Sequence, residues 1–472
     1  MTKVTRNFIV NGLSSILSQF VTFLTMTYYA KVIGQSYFGS FTLAQQIVLY
    51  FSMFIMFGMQ TLGIRMVAES GEKLNDTINE ILSFRLINAI VSFIILIILY
   101  AAINKGYYFN NFLFIFSFSL FPLALNTDWL FNGLQEMQHN AVYNILKNIV
   151  PSIIIIIFIR NTGNLYMIPM ALVIGNVLGI IYQISIIKIK YKFRIRFKIR
   201  KSIILKYAKL GMPFLISSLL AMVNGNIDKI IMGFSRTEAE LGVYQAAYVF
   251  INFLINVEAL IFTPFFPMYI NYFSNKDIKA IKNLGRNVAK IVWIAIIPIT
   301  VEIMILSKDI IQLFYGKKYI NAYISLRILT IYILILYIRE IYGYQLNAWK
   351  GEKFYLKAVS ISAALNALLC IIFIPYFGYV AAAIITLVTE VVNLFVMKYY
   401  SDKIVKINIF QDTIRLIFPC IFLVLITLIL YYYHVEIIIN ALISVMLYFI
   451  VLILFKVLTL NEIKLVFRKE AK

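Results

Sequence analysis

The side chains of this sequence that could do chemistry are ionisable groups set inside long apolar segments. Each costs about 2.5–3.5 kcal/mol at the centre of a membrane helix, so it is expected to face a protein interior, a partner or water. The stretch "NIDKIIMG", residues 226–233, places Asp228 and Lys229 near the end of an apolar segment that begins at Gly211. The others are Asp128, Glu258, Arg339 and Glu340, with Arg65 closing a further segment. Because both signs of charge occur, we predict a shared polar cavity; the alternative is a set of structural ion pairs.

The first apolar segment carries a polar stripe. Its members recur at spacings of three, four or seven residues, which places them on one face of a helix; they are Asn11, Ser15, Ser18, Thr22 and Tyr29. Thr25 lies on the same face and corresponds to Asp228 in the internal repeat described below. We therefore expect Asn11, Ser15 and Thr25 to line the same cavity.

Residue types needed for most enzymatic chemistry are scarce. The only histidines are His139 and His434, and neither a GxxxxGK[ST] phosphate loop nor a cluster with metal-ligand spacing is present. The longest predicted outer connection, 307–322, is short for the hydrophilic domain that membrane glycosyltransferases and polymerases usually carry. Transport is therefore favoured over catalysis, with no metal or organic cofactor, and a membrane enzyme is the weaker alternative.

The elements that must position these residues are membrane helices. Hydrophobic residues make up 62% of the 472 and charged residues 14%, with a mean hydropathy of +0.87. Since about 20 apolar residues cross a bilayer as a helix, the chain divides into about 14 spans between residues 8 and 457. Most of the 43 Lys and Arg residues fall in alternate loops, which predicts that both termini are cytoplasmic. The fold class is an all-α integral membrane protein.

An internal repeat organises these spans. "YFGSFTLAQQI" at 37–47 aligns with "ELGVYQAAYVF" at 240–250, an offset of 203 that pairs Gly39 with Gly242. A second, weaker pair of similar stretches has an offset of 215. Six spans separate the copies, and an even number leaves equivalent helices pointing the same way, so we predict a parallel pseudo-twofold repeat around a central cavity.

The predicted organisation is therefore two six-helix bundles and a pair of additional helices. The boundaries are 1–187 for the first bundle, 188–209 for a basic cytoplasmic linker, 210–398 for the second bundle, 411–457 for helices 13 and 14, and 458–472 for a basic cytoplasmic tail.

The linker carries the strongest run of positive charge. In "KIKYKFRIRFKIRK", residues 188–201, Lys and Arg alternate with Ile, Tyr and Phe. Basic and aromatic residues together can bind single-stranded nucleic acid, but this run lies between two spans with no soluble domain beside it. Contact with anionic lipid headgroups accounts for it and for the net charge of +22, so no nucleic-acid partner is expected.

Two prolines are candidate hinges. All nine prolines fall within or at the edge of the predicted spans, where the freed backbone group can be satisfied by neighbours or by a wet cavity. Pro264 and Pro267 lie within one turn of each other, at the inner end of the predicted span 241–268. A static bend is the alternative for any single proline.

Three stretches resemble one family over essentially the whole chain. They are "YYAKVIGQSYFGSFTLAQQIVLYFSMFIMFGMQTLGIRMVAES" at 28–70, "DWLFNGLQEM" at 128–137, and "MPFLISSLLAMVNGNIDKIIMGFSRTEAELGVYQAAYVF" at 212–250. The chain is similar in these to the Wzx-type flippases of polysaccharide biosynthesis, in the superfamily that also holds MATE-like multidrug exporters and lipid II flippases. The position that the family usually fills with Gln is Asn132 here, so no role is carried to it.

The resemblance implies a function. A Wzx-type flippase moves an undecaprenyl-diphosphate-linked oligosaccharide from the inner to the outer leaflet of the bacterial cytoplasmic membrane by alternating access, for capsule, exopolysaccharide or related glycan. Arg65 and Lys229 become candidate diphosphate or sugar contacts, and Asp228 a candidate partner or coupling-ion site. A proton or sodium gradient could drive the cycle, and a polysaccharide polymerase and glycosyltransferases are candidate partners. The alternatives are a cation-coupled multidrug exporter and a lipid II flippase.

Overall fold

The computed structural model describes residues 3–70, 74–103, 105–197, 200–409 and 413–457, with side chains of the first helix described from residue 17 onward. The predicted tail, 458–472, and the side chains of Asn11 and Ser15 therefore lie outside the described part. Within that part every regular element is a helix.

The chain from α1 to α9 contains nine helices. They are α1 Lys3–Ile33, α2 Gln35–Met56, α3 Met59–Ser70, α4 Leu74–Ala102, α5 Tyr107–Ser117, α6 Leu120–Leu125, α7 Asp128–Gly133, α8 Gln138–Phe158 and α9 Met167–Ile189.

The remainder of the described chain contains eight helices. They are α10 Lys201–Ser235, α11 Glu238–Phe262, α12 Phe266–Ser274, α13 Ile278–Tyr315, α14 Ala322–Ala348, α15 Glu352–Ile404, α16 Ile417–Tyr432 and α17 Ile437–Leu454. Among the described residues, 10 helical stretches are long and apolar enough to cross a membrane, and α16 is a shorter apolar helix. The predicted all-α membrane fold is confirmed, whereas the count of 14 spans and the repeat stay predictions.

The helices form two compact units. The first comprises Met1–Phe253 with Ala363–Ala382, and the second comprises Leu254–Ser362 with Ala383–Lys472. These units are defined by packing density and do not follow the predicted bundle boundary at 188–209, which also stays a prediction.

In the first unit, α2 and α11 contact each other at two glycines. A Cβ added to Gly39 would lie 1.7 Å from the Glu238 carbonyl oxygen, and one added to Gly242 would lie 2.1 Å from the Gln35 carbonyl oxygen. The two contacts are reciprocal, because the offset of 203 converts Gly39 into Gly242 and Gln35 into Glu238. Only residues without a side chain let the two backbones approach this closely.

The first unit also contains the break in α15. Gly378 has φ +62° and ψ −144°, which ends one helical segment and begins the next. Arg236 stabilises the break: it donates two hydrogen bonds to Glu240 and a third, from Nη1, to the Pro375 carbonyl at 3.2 Å. A carbonyl freed by the break thereby gains a charged donor.

In the second unit, the proline pair interrupts the helical path. α11 ends at Phe262, a single 3₁₀ turn spans Thr263–Phe265, and α12 begins at Phe266. Pro264 and Pro267 thus occupy the first turns of the two elements, where the missing N–H costs no helical hydrogen bond. The geometry places both prolines at a change of helix, and their role as a hinge stays a prediction.

Candidate functional site

A polar cavity in the first unit has a volume of about 540 Å³. Helices α1, α2, α8, α9, α10 and α11 contribute to its wall, with the segment from α5 to α6. Seven of its lining side chains are carboxamides: Gln45, Gln46, Asn148, Asn176, Asn226, Gln245 and Asn252. No carboxylate is among the described lining residues, and Lys147 is the cation among them. The wall therefore offers neutral hydrogen-bonding groups and a positive charge.

Two of the carboxamides hold unused acceptors. Gln46 and Gln245 are 6% and 3% exposed, and the Oε1 atom of each has no hydrogen-bond partner among the described residues. A buried carbonyl oxygen without a donor costs about 1–3 kcal/mol. Both oxygens are thus suited to accept hydrogen bonds from hydroxyl groups of a bound cargo.

Lys147 lies on α8 and is half-buried. Its Nζ atom is 5.8 Å from the centre of the Tyr143 ring, and no carboxylate in the described part of the chain lies within ion-pair distance of it. Water or a cargo anion must therefore solvate much of its charge. It was not among the residues predicted from the sequence.

Asp228 and Lys229 lie in the wall of the cavity instead of its lining, since they are 3% and 1% exposed. Asp228 accepts hydrogen bonds from the Tyr244 hydroxyl at 2.5 Å and from the Lys229 backbone N–H at 2.8 Å. The Lys229 ammonium donates to Asn226 Oδ1 at 2.8 Å and lies 3.6 Å from the Tyr248 ring centre. Lys229 therefore orients Asn226, which does line the cavity.

Replacing Asp228 by asparagine is expected to destabilise the fold more than it perturbs the cavity. The Asp228 carboxylate is the opposite charge that acts on the buried Lys229 ammonium. Leaving a buried charge uncompensated costs up to about 3–5 kcal/mol. The melting temperature of the purified protein should fall, and adding Lys229→Met to Asp228→Asn should restore part of the loss. Tyr244→Phe, which removes only a hydrogen bond, is the milder control. Unchanged melting of Asp228→Asn would contradict the electrostatic role.

Asp128 belongs to a separate buried network in the first unit. Its Oδ1 atom accepts from Gln183 Nε2 at 2.6 Å, and Gln183 Oε1 accepts from the Thr127 N–H at 3.0 Å. Asn140 donates to the Asp128 carbonyl at 3.0 Å. These bonds hold α7 against α8 and α9, so Asp128 has the partners of a structural residue.

Arg85 is a buried cation that the sequence analysis missed. It is fully buried and donates to the carbonyl oxygens of Asn126 at 2.7 Å and Leu123 at 2.6 Å. Leu123 lines the cavity, so Arg85 braces the end of α6 at the cavity wall. Its position near the N-terminal end of a span concealed it, because such a cation ordinarily reaches the membrane surface.

Arg65 and Thr25 do not line the cavity. Arg65 is exposed and pairs with Glu69 at 2.9 Å on α3. Thr25 is buried and donates to the Val21 carbonyl at 2.8 Å, whereas Thr22, on the same helix, does line the cavity.

The remaining predicted residues form one cluster in the second unit. Arg339 donates from Nε to Glu390 Oε1 at 2.6 Å and from Nη1 to Glu340. Glu258 is buried beside them, and its Oε1 atom lacks a hydrogen-bond partner within the described residues. The structure thus brings Glu258, Arg339 and Glu340 together, and adds Glu390 to them.

These features define the class of protein: a multi-pass helical membrane protein whose first unit contains an amide-lined cavity. The chain belongs to the polysaccharide biosynthesis protein family, whose profile matches residues 4–273.

Individual proteins and structures extend the comparison. A "Probable low-salt glycan biosynthesis flippase" of Haloferax volcanii is 22% identical over 402 residues, 84% of this chain and 83% of that protein. The structure of a lipid II flippase, MurJ, in an inward closed conformation matches with a TM-score of 0.74 and 17% identity, over 95% of this chain and 99% of that one. An inward-facing MATE family multidrug resistance transporter matches with a TM-score of 0.67 and 13% identity, over 82% and 94%. These names describe flippases and transporters, in agreement with the expectation that the chain is not an enzyme.

Proposed function

We propose that this chain flips a lipid-linked oligosaccharide, carried on a polyprenyl diphosphate such as undecaprenyl diphosphate, from the inner to the outer leaflet of the bacterial cytoplasmic membrane. The observation that carries the proposal is the composition of the cavity wall: seven carboxamides and one lysine, with no carboxylate among the described lining residues. Carboxamides both donate and accept hydrogen bonds, as a sugar hydroxyl does. The lysine supplies a point charge for a phosphate or an acidic sugar.

The same composition disfavours a multidrug exporter of cationic compounds. A cation placed in a membrane cavity is stabilised by a carboxylate close to it, and the described lining has none. The described lining places Lys147 there instead, and like charges repel. A lipid II flippase remains the nearer alternative, since its cargo also combines a diphosphate with sugars.

The transport cycle is part of the proposal. Alternating access by rocking one six-helix bundle against the other would expose the cargo to each leaflet in turn, with both termini in the cytoplasm. Pro264 and Pro267 would take up the bending, and the Glu258–Arg339–Glu340 cluster would bind the proton or sodium ion that drives it. A polysaccharide polymerase and glycosyltransferases would use and supply the cargo.

The test is the leaflet accessibility of lipid-linked glycan in cells that lack this protein. Intermediates should accumulate in the inner leaflet, and re-supplied wild type should release them to the outer leaflet. Sensitivity to cationic drugs is measured in the same cells as the control for the exporter alternative. Altered drug sensitivity without any accumulation of intermediates would overturn the proposal.

A further inference from the structure

The segment between α9 and α10 has two different faces. Lys192, Arg194 and Arg196 are exposed, and the alternating residues Tyr191, Phe193 and Ile195 are partly buried. These three apolar side chains pack against a core cluster of the first unit that includes Ile78, Ile81, Trp129 and Phe131. The three cations are therefore directed away from the protein. We call Lys192, Arg194 and Arg196 the basic strip.

Hydrogen bonds hold the backbone of the basic strip in place. Asn79 on α4 donates from Nδ2 to the Arg194 carbonyl at 3.0 Å, and its Oδ1 accepts from the Arg196 N–H at 2.8 Å. One side chain thereby satisfies a donor and an acceptor of a segment that has no regular secondary structure of its own. The strip is a fixed surface instead of a free loop.

Two carboxylates bind side chains on either side of the strip. Before the strip, Glu136 accepts from both Lys190 and Tyr191. After the strip, Glu80 accepts from Lys206 at 2.9 Å and from Tyr207 at 3.0 Å. Each glutamate uses a lysine and the tyrosine that follows it. Both carboxylates are thus occupied by lysines that flank the strip.

The cations of the strip itself have no such partner. Within the described part of the chain, no carboxylate lies within ion-pair distance of Lys192, Arg194 or Arg196. Next to them, Phe197 is 48% exposed and Ile189, at the end of α9, is 77% exposed. The basic strip thus places fixed positive charges beside exposed apolar side chains.

We propose that the basic strip is a docking surface for the anionic phospholipid headgroups of the adjacent leaflet. It connects two helices that are long and apolar enough to cross a membrane, which places it at the level of the headgroups. Basic residues beside exposed apolar ones favour the interface of a bilayer over an acidic protein, because the apolar side chains gain from contact with acyl chains. This inference does not rest on the proposed transport function.

The test measures lipid retention by the full-length protein in nanodiscs of phosphatidylcholine with or without phosphatidylglycerol, read by native mass spectrometry. The variant is Lys192→Gln/Arg194→Gln/Arg196→Gln. The matched control is Lys276→Gln/Lys279→Gln/Lys282→Gln, which also removes three exposed cations. Each cation near the surface contributes about a fivefold gain in affinity, so the strip variant should bind phosphatidylglycerol on the order of a hundredfold more weakly than the wild type does. Retention of phosphatidylglycerol by the wild type should also fall as the salt concentration rises.

A second variant separates geometry from charge. Asn79→Ala keeps every cation but releases the backbone of the strip, so it should lower phosphatidylglycerol retention at unchanged net charge. The thermal stability of each variant is recorded to exclude unfolding. Equal losses in the strip variant and the control, or wild-type retention in Asn79→Ala, would overturn the proposal of a fixed docking surface. So would the absence of any preference for phosphatidylglycerol in the wild type, which would leave an acidic protein as the partner.

Discussion

Lys147→Ala should reduce transfer of lipid-linked glycan to the outer leaflet by at least tenfold at equal amounts of membrane-inserted protein. Lys147 is the cation among the described residues that line the cavity, and a hydrogen bond to a charged group contributes about 1.5–3 kcal/mol. Such a loss corresponds to roughly one to two powers of ten in binding. The measurement is leaflet accessibility of the glycan intermediate in complemented cells.

Two further variants make this result specific. Lys147→Arg keeps the charge and should retain a measurable part of the activity, whereas Lys147→Met keeps the length of the side chain and should behave as Lys147→Ala does. Arg65→Ala is the control, because it removes a cation that lies outside the cavity lining, and it should transport as the wild type does. Wild-type transport by Lys147→Met would show that the cavity charge is not used.

Gly39→Ala is expected to disrupt the first unit. Its Cβ would lie 1.7 Å from the Glu238 carbonyl oxygen and 3.0 Å from the Gly242 backbone nitrogen, and neither backbone atom can move without separating α2 from α11. Overpacking of a closely packed interior costs about 1–3 kcal/mol, and more when backbone must shift. The purified variant should show a lower melting temperature or fail to accumulate. Gly242→Ala should have the same effect, because its contact with Gln35 is the reciprocal one.

Gly225→Ala is the matched control. Gly225 is also helical, and a Cβ added to it meets no atom within 4 Å. Alanine is favoured over glycine in a helix by about 0.8–1.0 kcal/mol, so this variant should melt at the wild-type temperature or above it. If Gly39→Ala and Gly225→Ala melted alike, the glycine crossing would not contribute to stability.

The class of the molecule follows from its pattern of apolar segments. Hydrophobic segments of bilayer length admit only helices, because each backbone polar group must be satisfied within its own segment. An ionisable group in hydrocarbon needs a partner, so the sequence also predicts polar surroundings for the ionisable residues within the apolar segments. These residues are Asp228, Lys229, Glu258, Arg339 and Glu340. All five are in polar clusters, and the aligned glycines Gly39 and Gly242 meet across two helices.

Which of these groups face open space depends on how the helices pack. The side chains of Asp228 and Lys229 bond to Tyr244 and Asn226 within the wall, while neutral amides such as Gln46 and Gln245 line the cavity. An amide inside an apolar segment gives a weak signal, because it costs far less than a charge to bury. Lys147 was overlooked for a related reason: a lysine near the end of a span usually reaches the membrane surface. Whether a polar side chain binds a cargo or a neighbour depends on what packs beside it, and that is set by contacts between helices far apart in the chain.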